Sequence, residues 1–463
     1  MDLSFFASLL DGSLFGSFLG ASSFGGIEWS FTLRNVLLGT TLLGVVGGVL
    51  GCFTLLRRES LLGDALAHAA LPGVCIAYLI TGAKSSGPLF LGALVAGVVG
   101  ALTILVVVRW SKLVTDAAIG IVLSVFFGLG IMLLTYIQKL PLGNQSGLDK
   151  YLFGQAATLM PQDVQLMALL GAAVLVLLAL FFKELKLLTF DREYAASLGM
   201  PVLRLEVLMT LLLVAVVVVG LSTVGAVLMV ATLVTPAAAA RQWTDRLGWM
   251  LVLAALIGGG SGMVGALASA SVDRLPTGPV VVLVASALLT LSITLAPRRG
   301  LLWSRLRYLR MVRRIRRENL LKDLWNFGER RGDEPGQRVP WTYVMGLRGL
   351  TGGRVEATAR ALEQEGLVRR GERDLRLTTS GIAAAQAMVR KHRLWEVYLT
   401  RKLELAEDHV HRDADVMEHA LTPAAVAQLE EVLGYPTLDP HGRPIPPARG
   451  ELVSTAPISG GAA

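Results

Sequence analysis

The sequence predicts two parts: an all-α polytopic membrane domain with eight or nine transmembrane helices, then a soluble, mainly helical domain. Of the 463 residues, 53% are hydrophobic and only 17% are charged. Apolar runs of about 20 residues, enough to cross roughly 30 Å of hydrocarbon, recur up to Pro297. Beyond Pro297 the chain is rich in Arg, Glu and Asp, as soluble proteins are.

Residues 1–29 are apolar but have no basic start, so we expect an interfacial helix rather than a cleaved signal peptide. Cys52 and Cys75 lie in predicted spans, so we expect reduced packing residues and no disulfide framework. The run 205–240 contains two spans or one long broken helix. The spans of the membrane domain, residues 30–297, are predicted at 35–56, 61–81, 88–109, 117–137, 164–182, 205–220, 222–240, 247–270 and 279–296.

Basic residues predict the orientation of the membrane domain. They fall at alternate connections between spans, and connections rich in Lys and Arg face the cytoplasm. The C-terminal region is therefore expected to be cytoplasmic. The residues are Arg57, Arg58, Arg109, Lys112, Lys183, Lys186, Arg241, Arg246, Arg298 and Arg299.

The second span begins with LLGDALAHAALPG (61–73), in which Asp64 and His68 share one helix face. Ionisable side chains inside a bilayer are costly unless they face a cavity, a partner or an ion. Carboxylate oxygen and imidazole nitrogen together suit Mn²⁺, Zn²⁺ or Fe²⁺. Pro72 would break or kink this helix, as ion sites in transporters often require. The alternative is that Asp64 caps the helix and His68 bonds a neighbouring carbonyl group; we favour the ion site.

The membrane part resembles the permeases of ABC-type manganese, zinc and iron uptake systems in five segments that occur in the same order. This resemblance implies a type II ABC importer-like subunit in the inner membrane of a prokaryote. It also implies that Asp64 and His68 coordinate the translocated metal, with Mn²⁺ favoured over Zn²⁺ or Fe²⁺. The segments are RRESLLGDALAHAALPGVCIAYL (57–79), LDKYLFG (148–154), TFDREYAASLGMPV (189–202), VGAVLMVATLVTPAAAAR (224–241) and DRLPTGPVVVLV (273–284).

The partners expected for such a permease follow from the same resemblance. The sequence contains no G-x-x-x-x-G-K-[ST] phosphate loop, so we expect no enzyme here and a separate ABC ATP-binding subunit that hydrolyses ATP. An extracytoplasmic metal-binding solute-binding protein and a second permease chain, identical or a related paralogue, are also implied. The cytoplasmic loop near residue 190 is amphipathic, and we interpret it as the helix that docks on the ATPase rather than one lying on the membrane. Its candidate coupling residues are Phe190, Asp191, Glu193, Ala196 and Gly199.

A basic linker, residues 298–317, follows the last span. Residues 298–322 hold ten Arg or Lys against one Glu. Next to a membrane, each basic residue attracts anionic lipid by roughly 1 kcal/mol, so we favour lipid as the partner of Arg313 and Arg314. A nucleic-acid patch is the alternative.

Five of the six histidines lie between residues 392 and 441. His392 and Glu396 stand four residues apart, and the next group repeats at helical spacing. These ligand types suit Mn²⁺, Fe²⁺ or Zn²⁺; the alternative is a solvated helix face with ion pairs four residues apart. We expect His409 and His441 to be exposed and leave them out. The second group is His411, Asp415, Glu418 and His419.

Three segments of the soluble region follow one another in a characteristic order: VRKHRLWEVYL (389–399), VHRDADVMEHAL (410–421) and LGYPTLDPHGRPIP (433–446). In these segments the region resembles metal-dependent repressors of the diphtheria-toxin-repressor and manganese-regulator type. Residues 318–380 match their winged helix-turn-helix, residues 381–447 match their metal-binding and dimerisation domain, and residues 448–463 are expected to be a disordered tail. The resemblance assigns one metal site to His392, Glu396 and His411, and another to Asp415, Glu418 and His419. The family also draws ligands from its first helix, where this chain has Asn319 and Lys322. Because a protonated lysine cannot ligate a metal, we expect the second site to be incomplete, weaker or built from a different set of ligands.

Three functions for the soluble region remain open at this stage. The favoured one is feedback, in which a divalent transition metal bound by the cytoplasmic domain biases the transporter toward a closed state. The second is a membrane-anchored metal-dependent DNA-binding regulator. DNA is the less favoured partner because Glu356 would repel phosphate, although Arg354 and Arg360 could compensate. The third is a purely structural dimerisation tail that binds no metal.

Overall fold

The computed structural model divides into two compact units, Met1–Ser304 and Arg305–Ala463. The expected N-terminal interfacial helix and C-terminal tail lie outside the described residues, apart from two short strands near the N-terminus. The segment 148–154 also lies outside them. The structure describes residues 23–24, 27–28, 31–82, 86–140, 159–223, 225–272, 275–297, 299–332, 336–346, 352–406 and 410–447.

The first unit is helical apart from an antiparallel pair of two-residue strands, β1 (Ser23–Phe24) and β2 (Ile27–Glu28). Within the described residues, α1–α5, α8, α10 and α11 are long and apolar enough to cross a membrane, which confirms the predicted polytopic class. The helices are α1 (Phe31–Leu56), α2 (Leu62–Thr81), α3 (Ser86–Trp110), α4 (Thr115–Lys139), α5 (Pro161–Leu180), α6 (Phe182–Phe190), α7 (Arg192–Ser197), α8 (Val202–Thr223), α9 (Ala226–Trp243), α10 (Leu247–Ala270) and α11 (Thr277–Leu295).

The run 205–240 contains two helices, α8 and α9, separated at Gly225, whose φ of +87° favours glycine. Only α8 is among the eight membrane-length helices. The last turn of α9 carries Arg241 and Gln242, and an internal proline, Pro236, interrupts its hydrogen bonds. The structure therefore agrees with the lower end of the predicted range of crossings.

Small residues allow the membrane helices to pack closely. A Cβ atom added at Gly258 of α10 would overlap the backbone carbonyl of Gly44 in α1, and Gly73 of α2 meets Gly92 of α3 in the same way. Close backbone approach of this kind is typical of membrane helix interfaces. Cys52 and Cys75 are buried free thiols, as expected.

The second unit continues from α12 (Leu301–Arg331), a helix that begins in the predicted basic linker and runs through the predicted first helix of the soluble region. The linker and that helix are thus one element. A three-stranded antiparallel sheet in the order β3-β5-β4 contains the expected two-stranded wing and one additional strand. The further elements are β3 (Val339–Pro340), α13 (Trp341–Gly346), α14 (Gly352–Gln364), β4 (Val368–Arg370), β5 (Asp374–Leu377), α15 (Thr379–Leu403), α16 (Val410–Met417) and α17 (Pro423–Leu433).

One face of α12 is fixed in the core of the second unit. Leu320, Leu321, Leu324 and Phe327 are all buried there and belong to one hydrophobic cluster with side chains of the sheet and of α14. Because these residues alternate with polar ones along the helix, the polar side chains of α12 are held at defined positions against α15 and α16.

Candidate metal sites

The ionisable pair of the membrane domain lies in the first two turns of α2. The Nε2 atom of His68 is 3.4 Å from Oδ1 of Asp64, and the two side chains are 17% and 30% exposed. The His68 ring packs edge-on against Phe127 of α4, with ring centroids 4.6 Å apart. Its Nδ1 atom is buried and has no hydrogen-bond partner among the described residues. The imidazole is therefore held in place with one nitrogen still available to a ligand.

A backbone carbonyl group beside this pair lacks its usual helical hydrogen bond. Pro72 lies inside α2, four residues after His68. Proline has no N–H group, so the carbonyl group of His68 receives no helical hydrogen bond from position 72. The helix begins after Leu61, and no side chain caps it; Asp64 thus does not act as the helix cap that the alternative interpretation required.

The predicted coupling segment consists of two short helices instead of one. Phe190 is the last residue of α6, and Asp191 breaks the helix because its Oδ1 accepts a hydrogen bond of 2.8 Å from the backbone N–H of Tyr194 in α7. Gly199 ends the segment at a φ of +76°. All five candidate coupling residues are exposed: Phe190, Asp191, Glu193, Ala196 and Gly199.

A salt bridge connects α7 to a long membrane helix. Arg192 Nε donates to Oε1 of Glu206 in α8 at 2.8 Å, and the Glu206 side chain is only 8% exposed. A cavity of about 710 Å³ adjoins this pair and is also lined by Arg57 and Glu59. Burial raises the pKa of Glu59, and Arg57 offsets part of this increase. Sequence analysis missed Glu206, although a lone glutamate at the start of an apolar span was a usable signal.

The ligand-rich cluster of the second unit is built around a lysine. Lys322 of α12 donates from Nζ to Oδ1 of Asp415 at 2.6 Å and to Oε2 of Glu418 at 2.7 Å. The same Nζ lies 3.0 Å from Nδ1 of His392 in α15. Lys322, His392 and Glu418 are buried, whereas Asp415 is exposed. We call these four residues the lysine-centred cluster.

Two carboxylates flank His392, one in this cluster and one outside it. Its Nδ1 atom is 2.7 Å from Oε2 of Glu418, and its Nε2 atom is 3.1 Å from Oε1 of the fully buried Glu396. Burial alone would lower the pKa of His392, but the hydrogen bonds to Glu396 and Glu418 outweigh burial and raise it above its ordinary value.

His419 has a different partner. Its Nδ1 atom is 2.6 Å from Oε2 of Glu318, one turn before Lys322 on α12. Burial alone would raise the pKa of Glu318, but hydrogen bonds from His419 and Arg314 hold it below its ordinary value. α12 thus contacts the region around α16 through two successive turns. The side chain of His411, the remaining expected ligand, lies outside the described residues.

A second group includes a histidine that the sequence analysis left out. Glu396, Asp439 and His441 each offer one ligand atom, and these atoms lie within 4.8 Å of one another. His441 is exposed, as expected. It lies in a tight turn closed by a hydrogen bond from the N–H of Gly442 to the carbonyl oxygen of Asp439, and its ligand atom lies near Glu396 of α15. Arg393 Nε is 3.6 Å from the same Asp439.

The metal implied for the second unit fits these two groups differently. The lysine-centred cluster does not fit a divalent ion, because the ammonium group of Lys322 lies among the same ligand atoms. The group of Glu396, Asp439 and His441 offers one imidazole and two carboxylates, a donor set that suits Mn²⁺, Fe²⁺ or Zn²⁺.

The residues considered for DNA or lipid contact lie on exposed helix faces. Arg313 and Arg314 are exposed on α12, and Arg314 forms an ion pair with Glu318. Arg360 pairs with Glu356 on α14, and this pairing lowers the pKa of Glu356. Arg354 is exposed at the start of the same helix.

Comparison with known proteins links both units to families. Residues 30–296 match the model of the ABC 3 transport family, and residues 378–447 match that of the iron dependent repressor, metal binding and dimerisation domain. The manganese transport system membrane protein MntC of Bacillus subtilis is 45% identical over 384 residues, covering 83% of this chain and 87% of the relative. The zinc transport system membrane protein TroC of Treponema pallidum is 50% identical over 273 residues, covering 59% and 92%.

A solved structure also resembles the chain. PsaBC from Streptococcus pneumoniae in complex with Fab aligns with a TM-score of 0.52 and 33% sequence identity. The alignment covers 64% of this chain and 97% of that one.

Proposed function

The chain belongs to the ABC 3 transport family, and on that premise we propose that it carries divalent manganese inward across the membrane, with zinc and iron as the alternative cargoes. It is a multi-pass permease subunit rather than an enzyme, and it has a C-terminal domain of the iron dependent repressor type. The names of the manganese and zinc transport relatives support this choice of cargo.

The observation that carries the proposal is the pair Asp64 and His68. The two side chains face each other at 3.4 Å within a membrane helix, and the buried Nδ1 of His68 has no partner among the described residues. An unsatisfied polar atom in such an environment is costly unless a ligand occupies it during function. In our proposal these residues hold the metal ion as it passes through the permease.

Uptake of labelled Mn²⁺, Zn²⁺ and Fe²⁺ tests this proposal in cells that express the chain with its partner subunits. Asp64→Ala should abolish uptake of the transported metal. Asp116→Ala is the matched control, because Asp116 is an exposed aspartate in the first turn of another membrane helix, α4. Uptake that survives Asp64→Ala would refute the ion path proposed here.

The exposed helix α7 supports docking of a separate ATP-binding subunit on the cytoplasmic side. Phe190, Tyr194 and Leu198 are each more than half exposed, an apolar surface that a protein partner would cover. The ion pair of Arg192 with Glu206 connects this surface to α8, so that movement of a docked ATPase would reach the membrane helices. Capture of metal outside the cell would require a solute-binding protein, and a second permease chain would complete the pathway.

The second candidate function is feedback by metal on the cytoplasmic side. In this proposal the C-terminal unit lies in the cytoplasm, an orientation that the basic loops predict. The observation that favours it is the group of Glu396, Asp439 and His441, whose donor set suits the same metals as the cargo. Metal bound there would bias transport if its affinity differs between the open and closed forms.

Transport at high internal metal tests the feedback. Both His441→Ala and truncation after Arg317 should raise uptake relative to the unaltered chain when cells are preloaded with metal. His441 is exposed, so its replacement should leave the fold intact. Equal uptake by all three proteins under preloading would refute feedback by this domain.

A further inference from the structure

The lysine-centred cluster has the form of a cation site whose cation is part of the chain. Lys322 reaches across from α12 to groups 70 to 96 residues later in the sequence. Its side chain is 6% exposed, and that of Glu418 is fully buried. Lysine is almost never buried to this extent unless its charge is paired.

We propose that the ammonium group of Lys322 is a built-in cation that replaces a metal ion among His392, Asp415 and Glu418. The second unit is thereby held in its cation-filled arrangement at any metal concentration. The inference concerns this cluster alone and does not depend on which ion the permease moves or on whether other ligands provide feedback.

Geometry excludes a metal ion from the cluster while Lys322 is in place. A transition metal bound to imidazole and carboxylate atoms lies about 2.0–2.2 Å from each of them. The Nζ atom of Lys322 lies 2.6, 2.7 and 3.0 Å from those same three atoms. A metal ion bonded to all three would therefore overlap the nitrogen.

Charge leads to the same conclusion. Asp415 and Glu418 bring two negative charges close together, and the cluster needs a cation to hold them there. The ammonium group supplies that charge through hydrogen bonds to both carboxylates. It joins α12 to α15 and α16, which a metal ion with ligands from these elements would also do.

The alternative is that Lys322 forms an ordinary ion pair with the same contacts, and the two interpretations predict different effects of replacing the lysine. If Lys322 replaces a metal, then changing it to a carboxylate should create a metal site, because the remaining ligands already converge on one point. If the lysine is only a neutralising partner, then the same change should leave a cluster of repelling carboxylates without affinity for metal.

Manganese binding to the purified full chain in detergent distinguishes these cases. The background for all measurements is Asp64→Ala with His441→Ala, which disables the two other proposed metal sites. Bound Mn²⁺ is counted by elemental analysis after gel filtration. Lys322→Glu is the test variant, and Lys402→Glu, at an exposed lysine near the end of α15, is the matched control.

We expect the background chain and the Lys402→Glu control to retain no Mn²⁺, and Lys322→Glu to retain about one ion per chain. Mn²⁺ should also raise the unfolding temperature of Lys322→Glu while leaving that of the background chain unchanged.

Two outcomes would overturn the proposal. One is Mn²⁺ retained by the background chain and lost on adding Glu418→Gln, which would place a metal beside Lys322. This measurement uses the natural lysine, so it remains decisive if Lys322→Glu fails to fold. The other is a folded Lys322→Glu chain that retains no Mn²⁺.

Discussion

Replacing Gly258 by alanine should destabilise the membrane domain by separating two helices. The added Cβ atom would overlap the carbonyl oxygen and carbon of Gly44. Backbone atoms cannot move aside as the end of a flexible side chain can, so α1 and α10 must shift apart. Overpacking of this kind costs about 1–3 kcal/mol, whereas the better helix propensity of alanine returns up to about 1 kcal/mol.

Gly260 is the matched control, because it lies two residues away on the same helix and its added Cβ would meet no described side chain or neighbouring helix within 4 Å. Gly260→Ala should keep the propensity gain without the overlap. The two variants should therefore differ by about 2 kcal/mol, or about 4–8 °C in unfolding temperature for a domain of this size. Thermal unfolding in detergent, followed by gel filtration of the remaining folded protein, measures the difference.

Equal unfolding temperatures for Gly258→Ala and Gly260→Ala would show that α1 and α10 do not pack through their backbones. Gly44→Ala offers an independent check, since its Cβ would overlap the carbonyl group of Gly258. Because both changes strain one contact, the double variant should lose less stability than the sum of the single variants.

Three further outcomes are expected. Arg192→Ala should lower the stimulated rate of ATP hydrolysis in the assembled transporter, whereas Arg204→Ala, at an exposed arginine of α8, should not. Equal activities would mean that the ion pair of Arg192 with Glu206 does not transmit movement. Arg393→Met should cost the second unit about 3–5 kcal/mol, since it leaves the buried carboxylate of Asp439 without its arginine partner. Limited proteolysis should reveal the loss against an exposed control, Arg401→Met. In the His441→Ala background, which disables the other proposed metal site of the second unit, treatment with EDTA should leave the protease resistance of this unit unchanged, and faster cleavage would contradict a built-in cation.

Local patterns made the membrane part predictable from sequence. The membrane spans are predicted from the length of the apolar runs. The spacing of four residues predicts that Asp64 and His68 lie on the same face of their helix. The helix break at Asp191 could also have been predicted, because aspartate is a preferred helix N-cap. The amphipathic pattern around it suggested a single helix instead. The contact of Gly44 with Gly258 joins positions too far apart in sequence for any local pattern to reveal.

Prediction of the sites in the second unit depended more on tertiary contacts. The sequence marked Lys322 as unable to ligate, and the ligand pattern singled out His392 and Glu418. The sequence could not show that the Lys322 side chain reaches between His392 and Glu418, because this contact depends on how α12 packs against α15. His441 was left out for its expected exposure, although an exposed residue can still turn a ligand atom toward buried partners such as Glu396.

The lysine of the second unit also bears on how a cell can use this protein when metal is scarce. A cluster filled by free metal would withdraw one ion per chain from the pool that an importer replenishes, and it would empty when that pool runs low. The Lys322 ammonium is supplied at synthesis in a fixed ratio of one per polypeptide. The second unit can therefore fill this cluster in a metal-starved cell before the first ion has been imported.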